Sequence, residues 1–131
     1  MTEEQKWDLV QHRFEKAKKT FGEIDTLIQN NFCNNAVNRL YYACFYAVSA
    51  LLLKNNVQTK THAGARQMFG LHFVDKGLIS NEAGRFCTKI FDLRHDGDYD
   101  DYIDYDQKDA LTLMQPAEDL INQIEAVLFK Q

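Results

Sequence analysis

Between Asn35 and Lys54 the chain reads as a helix that is apolar almost all the way round. Val37, Leu40, Tyr41, Cys44, Phe45, Val48, Leu51 and Leu52 mark one broad face, and Tyr42, Tyr46, Ala50 and Leu53 carry apolar character onto the other side. Such a helix has little polar surface to offer water, so it must lie at the centre of a bundle or against a second subunit. The remaining segments must supply what surrounds it.

They do so with narrower stripes. Trp7, Val10, Phe14, Ala17, Phe21, Ile24 and Ile28 alternate spacings of three and four, which predicts one long helix from about Glu3 to Asn30 behind a Thr2–Gln5 capping box. Gly22 costs that helix some stability without breaking its pattern. The polar stretch NNFCNN reads as a turn, and KNNVQTKT as a connection. Ala65, Met68, Phe69, His72 and Phe73 predict a third helix over about His62 to Asp75, stopped at Gly77. Ser80 or Asn81 can cap a fourth, which carries Phe86, Cys87, Ile90, Phe91 and Leu93. Its expected end is Arg94 or His95, where HDGDYDDYIDYDQ brings Gly97 and a dense run of Asp. Asp106 opens a fifth helix running to about Phe129, and Pro116 inside it predicts a kink, or a start closer to the proline. No segment has the pattern of a strand. The expected fold is all-α: an antiparallel helical bundle of about five helices with a four-helix core, forming a single domain over residues 1–131.

Composition narrows the function classes. The three cysteines, Cys33, Cys44 and Cys87, are odd in number and not closely paired, so they read as free thiols rather than a disulfide framework. The opening MTEEQKWDLV is charged and amphipathic, unlike a secretory leader, and the apolar run Tyr41 to Leu53 is too short and too rich in Tyr to span a bilayer. A cytoplasmic protein without a membrane segment is expected. The net charge of −4 is uneven: residues 1–91 carry twelve Lys and Arg against eight Asp and Glu, whereas residues 92–109 carry eight Asp against Arg94 and Lys108. A pI near 5.5 argues against a general DNA binder and leaves room for a local basic cleft.

Three ordered segments make the reading more specific. NRLYYACFYAVSALLL, then KTHAGARQMFGLHFVDKGLI, then FDLRHDGDYDDY resemble the HEPN superfamily, and within it the small stand-alone UPF0332 type, over roughly residues 5–129. The resemblance implies a helical bundle that is often a homodimer and associates with a nucleotide or RNA. It also implies a nucleotidyltransferase-like partner protein in a toxin–antitoxin or defence setting. Active HEPN ribonucleases carry an Arg, four to six intervening residues, then a His, and two copies meet to form a metal-independent site. Arg94 matches the Arg, but Tyr99, Asp100 and Asp101 stand where the His belongs, and His95 is adjacent to Arg94 instead.

The expected function is therefore a module that binds a nucleotide, RNA or such a partner, with no cofactor. An endoribonuclease using Arg94 with Tyr99, His95 or a residue brought in by a second subunit is the enzymatic rival, and an interaction module using the acidic segment 92–109 is the third reading. The candidate binding residues are Arg39, Tyr42, Lys60, His62, Arg94, His95 and Asp98. Arg94 holds a phosphate or else braces the loop through Asp92, Asp96 or Asp98. Tyr99, with a pKa near 10, is a poor base at neutral pH. Lys60, Thr61 and His62 form either an anion site at a helix start or a simple cap with an exposed Lys. Arg39 lies three residues before Tyr42, which makes them either a hydrogen-bonding pair or the edge of a cleft. Tyr41, Tyr42, Phe45 and Tyr46 suit base stacking, and equally a core or dimer interface. Asp96, Asp98 and Asp100 have the opening spacing of a calcium loop, but Asp101 and Gln107 replace its Gly and Glu, so no metal site is expected.

Overall fold

The computed structural model describes residues 1–99 and 103–130, with the side chains of residues 95–99 outside the description. Those residues form α1 (Glu3–Gly22), α2 (Ile24–Gln29), α3 (Cys33–Lys54), α4 (His62–Phe69), a π-helical turn (Gly70–Val74), α5 (Asn81–Tyr99) and α6 (Gln107–Leu128). No strand occurs among them.

The apolar α3 lies at the centre and touches α1, α2, α4, α5 and α6. Its direction relative to its neighbours follows from cross-links at both ends. Lys6 donates to Asn56, Arg13 to Ser49 and Arg39 to Thr20, so α1 and α3 run antiparallel. Arg94 meets Tyr42 while Ser80 meets Gln123, so α5 is antiparallel to both α3 and α6. By length and composition α3 could cross a membrane, yet 61% of its apolar window is buried in this bundle. Its apolar residues are thus largely used in the core, where each fully buried Leu or Val contributes about 1.5–3 kcal/mol.

The ends of α2 and α3 are both set by asparagine. Asn31 and Asn56 adopt φ of 62° and 60°, and in each case the asparagine's own amide and the next one close back on the preceding helix. Phe32 N donates to Leu27 O at 2.8 Å and Asn31 N to Ile28 O at 2.9 Å, while Val57 N donates to Leu52 O at 2.9 Å and Asn56 N to Leu53 O at 3.1 Å. These are Schellman closures, with Asn taking the left-handed position that most side chains avoid.

Several expected boundaries move. The single helix expected over Glu3 to Asn30 is broken at Glu23, directly after Gly22, although Ile24 and Ile28 continue the buried stripe. The central helix starts at Cys33 rather than Asn35. The third helix changes to π winding at Gly70, where Asp75 N reaches back to Gly70 O at 2.9 Å. The fourth does not stop at Arg94 or His95 but continues past Gly97 to Tyr99. One glycine costs about 1 kcal/mol relative to alanine and removes no hydrogen bond, so it weakens a helix without ending it. The fifth begins at Asp106, whose carboxylate accepts from Asp109 N at 2.7 Å, and runs through Pro116 rather than starting near it. Burial of Leu113, Ala117, Leu120 and Ile121 around the proline offsets the hydrogen bond it lacks.

Two glycines test the packing in opposite directions. A Cβ at Gly22 meets nothing within 4 Å, whereas one at Gly84 falls 2.9 Å and 3.0 Å from the two methyls of Val74. Gly22→Ala should stabilise by up to about 1 kcal/mol through helix propensity. Gly84→Ala should destabilise, because overpacking costs roughly 1–3 kcal/mol and outweighs the same gain. Chemical denaturation of both variants checks the pair, and equal signs would refute this packing of α5.

Candidate functional site

The side chains that converge beside Arg94 come from three elements. α3 places Tyr41, Tyr42 and Phe45 on successive positions of one side, α4 begins at His62, and α5 brings Phe91 and Arg94 against them. Tyr41 is buried at 1% exposure, and its hydroxyl forms a hydrogen bond with His62 Nδ1. The imidazole stacks on Phe45 with centroids 4.3 Å apart and planes 13° from parallel, and Phe91 meets Tyr41 edge-on at 4.9 Å. The Arg94 guanidinium stands 5.3 Å from the Tyr41 ring centre and 6.0 Å from that of Tyr42, and Nη2 donates to the Tyr42 hydroxyl at 3.5 Å. Rings hold a guanidinium through their negative faces.

Beside Arg94 opens a cavity of about 200 Å³, walled by Asn34, Asn35, Asn38, Ile103 and Tyr105. Asn34 ties the start of α3 to the segment that follows α5: its amide donates to Asp104 at 3.0 Å, and its oxygen accepts from Tyr105 N at 2.8 Å. The Tyr105 hydroxyl donates to Leu93 O at 3.2 Å. A larger cavity of about 560 Å³ lies on the other side of Phe45, with Lys60, Arg13 and Ser49 on its wall.

The structure thus brings Tyr42, His62 and Arg94 into one cluster and leaves Lys60 exposed on the neighbouring cavity. Thr61 caps α4 by accepting from Gly64 N at 2.8 Å. Arg39 does not reach Tyr42. It extends to Thr20 Oγ1 at 3.4 Å and Glu23 at 3.8 Å, bracing α3 against the end of α1. The side chains of His95, Asp98 and Tyr99, and the calcium-like run Asp96 to Asp101, lie outside the described residues. Of the other acids in segment 92–109, Asp92 is exposed, while Asp104 and Asp106 serve the contacts above. Asn34, Asn38, Phe91 and Tyr105 belong to the site without having been anticipated. Among the described residues no group of three His, Cys, Asp or Glu is placed to hold a metal ion.

Electrostatics separate the reactive groups. Burial pushes the Cys44 thiol well up, with Cys87 adding to the effect, and pushes Cys87 up to about 12 against the opposing charge of Arg66. Both are therefore protonated at neutral pH and poor nucleophiles. His62 moves below its ordinary 6.5, first through burial and then through the Arg94 charge, which favours a neutral imidazole at neutral pH. Because the folded ring resists protonation, stability should fall as pH drops from about 6.5 through the folded value, where the unfolded chain takes up the proton first. An imidazole NMR titration should place the His62 midpoint below 6.5, and Arg94→Gln should raise it only part of the way, since burial is the larger cause. A midpoint at or above 6.5 would remove His62 from this environment.

The family model described as the HEPN domain matches residues 10–127. The chain belongs to the HEPN family. Among curated relatives, this HEPN chain is 30% identical to a "UPF0332 protein" of Thermotoga maritima over 98% of its own length and 96% of the relative. It is 41% identical to "Putative toxin MJ0605" of Methanocaldococcus jannaschii over 69% of this chain and 67% of that one. "Putative toxin MJ0142" of the same organism is 29% identical over 89% and 80%. The matched region contains the α3, α4 and α5 residues that form the Arg94 cluster.

Proposed function

We propose that this HEPN protein is the toxin-type member of a toxin–antitoxin pair and binds a nucleotide or RNA at the Arg94 cluster. Membership of the HEPN family and the relatives named as toxins support the toxin reading; a single-domain cytoplasmic homodimer with a nucleotidyltransferase-like partner is what the family resemblance implies. The observation that carries the ligand is Arg94, a cation held on two tyrosine rings beside a cavity walled by asparagine amides. A guanidinium forks onto phosphate oxygens, amides pair with base edges, and the half-exposed Tyr42 offers a ring for stacking. At about 200 Å³ the cavity takes one part of a nucleotide and leaves the rest on that rim.

One observation favours the hydrolytic reading. Tyr41 carries both groups, its hydroxyl on His62 Nδ1 and its ring against Arg94, which sets an imidazole that burial keeps neutral near the cation that would stabilise a phosphorane. The test runs pure wild type, Arg94→Ala and His62→Gln with a mixed single-stranded RNA pool in EDTA, scoring binding and cleavage together. Binding without cleavage, lost in Arg94→Ala, is the expected result. Cleavage that disappears in both variants would replace the binding reading with an endoribonuclease. Neither binding nor cleavage would sink both and leave the acidic segment 92–109 as a docking site for a basic protein.

A further inference from the structure

On the side of α4 facing the first two turns of α5 lies a separate cavity of about 260 Å³. Phe69 and Cys87, both buried, line it. Arg66 and Arg85 line it as well, one from each helix, together with the donors Asn81 and Thr88. No carboxylate lines it. The ion pairs among the described residues join Lys6 to Glu3, Lys18 to Glu125 and Arg39 to Glu23, so neither Arg66 nor Arg85 has an acidic partner there. Arg66 is half-buried, and its charge is felt at the Cys87 thiol beneath. With Arg66 half-buried and Arg85 exposed, both charges on this wall are open to an incoming ion, and an anion shared between them would offset their mutual repulsion.

We propose that this cavity is a second ligand site, built for a phosphate-sized oxyanion held between Arg66 and Arg85. The anion is either free inorganic phosphate or the terminal phosphate of a small monoester. Two features select that class. The volume lies below that of ordinary small-molecule pockets, which limits the ligand to a small one. Every polar side chain on the wall carries donors, and planar guanidiniums pair with tetrahedral oxyanions through two parallel N–H groups.

The site does not depend on what Arg94 binds, and the test separates them. Inorganic phosphate is titrated into wild type, Arg66→Gln/Arg85→Gln, Thr88→Val and Arg94→Ala at ionic strength matched with potassium chloride, read by amide NMR shifts and melting temperature. The expected result is saturable binding by wild type and by Arg94→Ala, with shifts around Arg66 and Arg85. The double variant should bind at least tenfold more weakly, and Thr88→Val, which keeps the fold and the charges, a few-fold more weakly. Ribose 5-phosphate is titrated in parallel: affinity equal to or above that of phosphate assigns the site to a monoester, and weaker affinity to the free ion. Phosphate shifts that do not saturate, that persist in the double variant, or that vanish in Arg94→Ala would each overturn the proposal.

Discussion

Arg94→Ala should weaken binding of a single-stranded RNA by about tenfold to a hundredfold, the factor expected when a charge-assisted contact of roughly 1.5–3 kcal/mol is removed. The salt dependence should change with it. Each phosphate contact to a single strand contributes about 0.7 to the slope of log K against log salt, so the variant's slope should be shallower by about that amount. Arg94→Lys separates charge from shape. Lysine restores the cation but not the planar group that lies 5.3 Å from the Tyr41 ring centre and 6.0 Å from that of Tyr42. It should therefore recover the salt slope and only part of the affinity. Fluorescence polarisation at three or more salt concentrations measures both quantities. An unchanged slope in Arg94→Ala would show that the guanidinium does not contact phosphate, even if affinity fell for other reasons.

Much of this arrangement was legible in the residues, and the places where it was not share one cause. Three-four spacing identified every main helix, because burial imposes that period directly on the sequence. The all-round apolar character of α3 placed it at the centre, where it lies. The asparagines of NNFCNN marked a turn, and Asn31 supplies its left-handed residue. The break at Glu23 escaped because the stripe Phe21, Ile24, Ile28 keeps its register across it. The π turn escaped for a similar reason: Phe69 and Phe73 are both buried on either side of the change in winding. Periodicity reports which residues face the core, not how the backbone between them is hydrogen-bonded.

The site shows the same division between local and long-range information. Arg94 drew attention through its setting in FDLRHDGDYDDY, and His62 through its place at a helix start. That the two are electrostatic neighbours is a product of the α3–α4 connection folding over α3, and no spacing encodes it. Arg39 shows the reverse case. Its position three residues before Tyr42 does put both on one side of α3, but a long side chain can turn either way, and this one turns to Thr20 and Glu23.

Tyr41 joins the core to the site, and substitutions there should separate the two contributions. Tyr41→Ala removes a ring that is 1% exposed and touches Tyr42, Phe45, His62, Phe91 and Arg94. By analogy with other buried aromatics the cost should be about 3–5 kcal/mol. In a chain of this size that corresponds to a fall in Tm of roughly 10–20 °C. Binding at Arg94 should fall as well, because the guanidinium loses one of its two rings. Tyr41→Phe keeps the ring and removes the hydroxyl that meets His62 Nδ1. A single net hydrogen bond is worth only about 0.5–1.5 kcal/mol, so the loss of stability should be several-fold smaller. The imidazole keeps its stack on Phe45 but loses the contact that fixes its rotation, so its NMR signals should move while RNA affinity stays within about threefold of wild type. Thermal denaturation, the His62 resonances and polarisation binding read the three consequences independently. If Tyr41→Phe lost binding as fully as Arg94→Ala, the hydroxyl–imidazole pair would be part of the ligand site itself. If Tyr41→Ala cost less than about 1 kcal/mol, the ring would not be the shared support of core and cluster that its contacts describe.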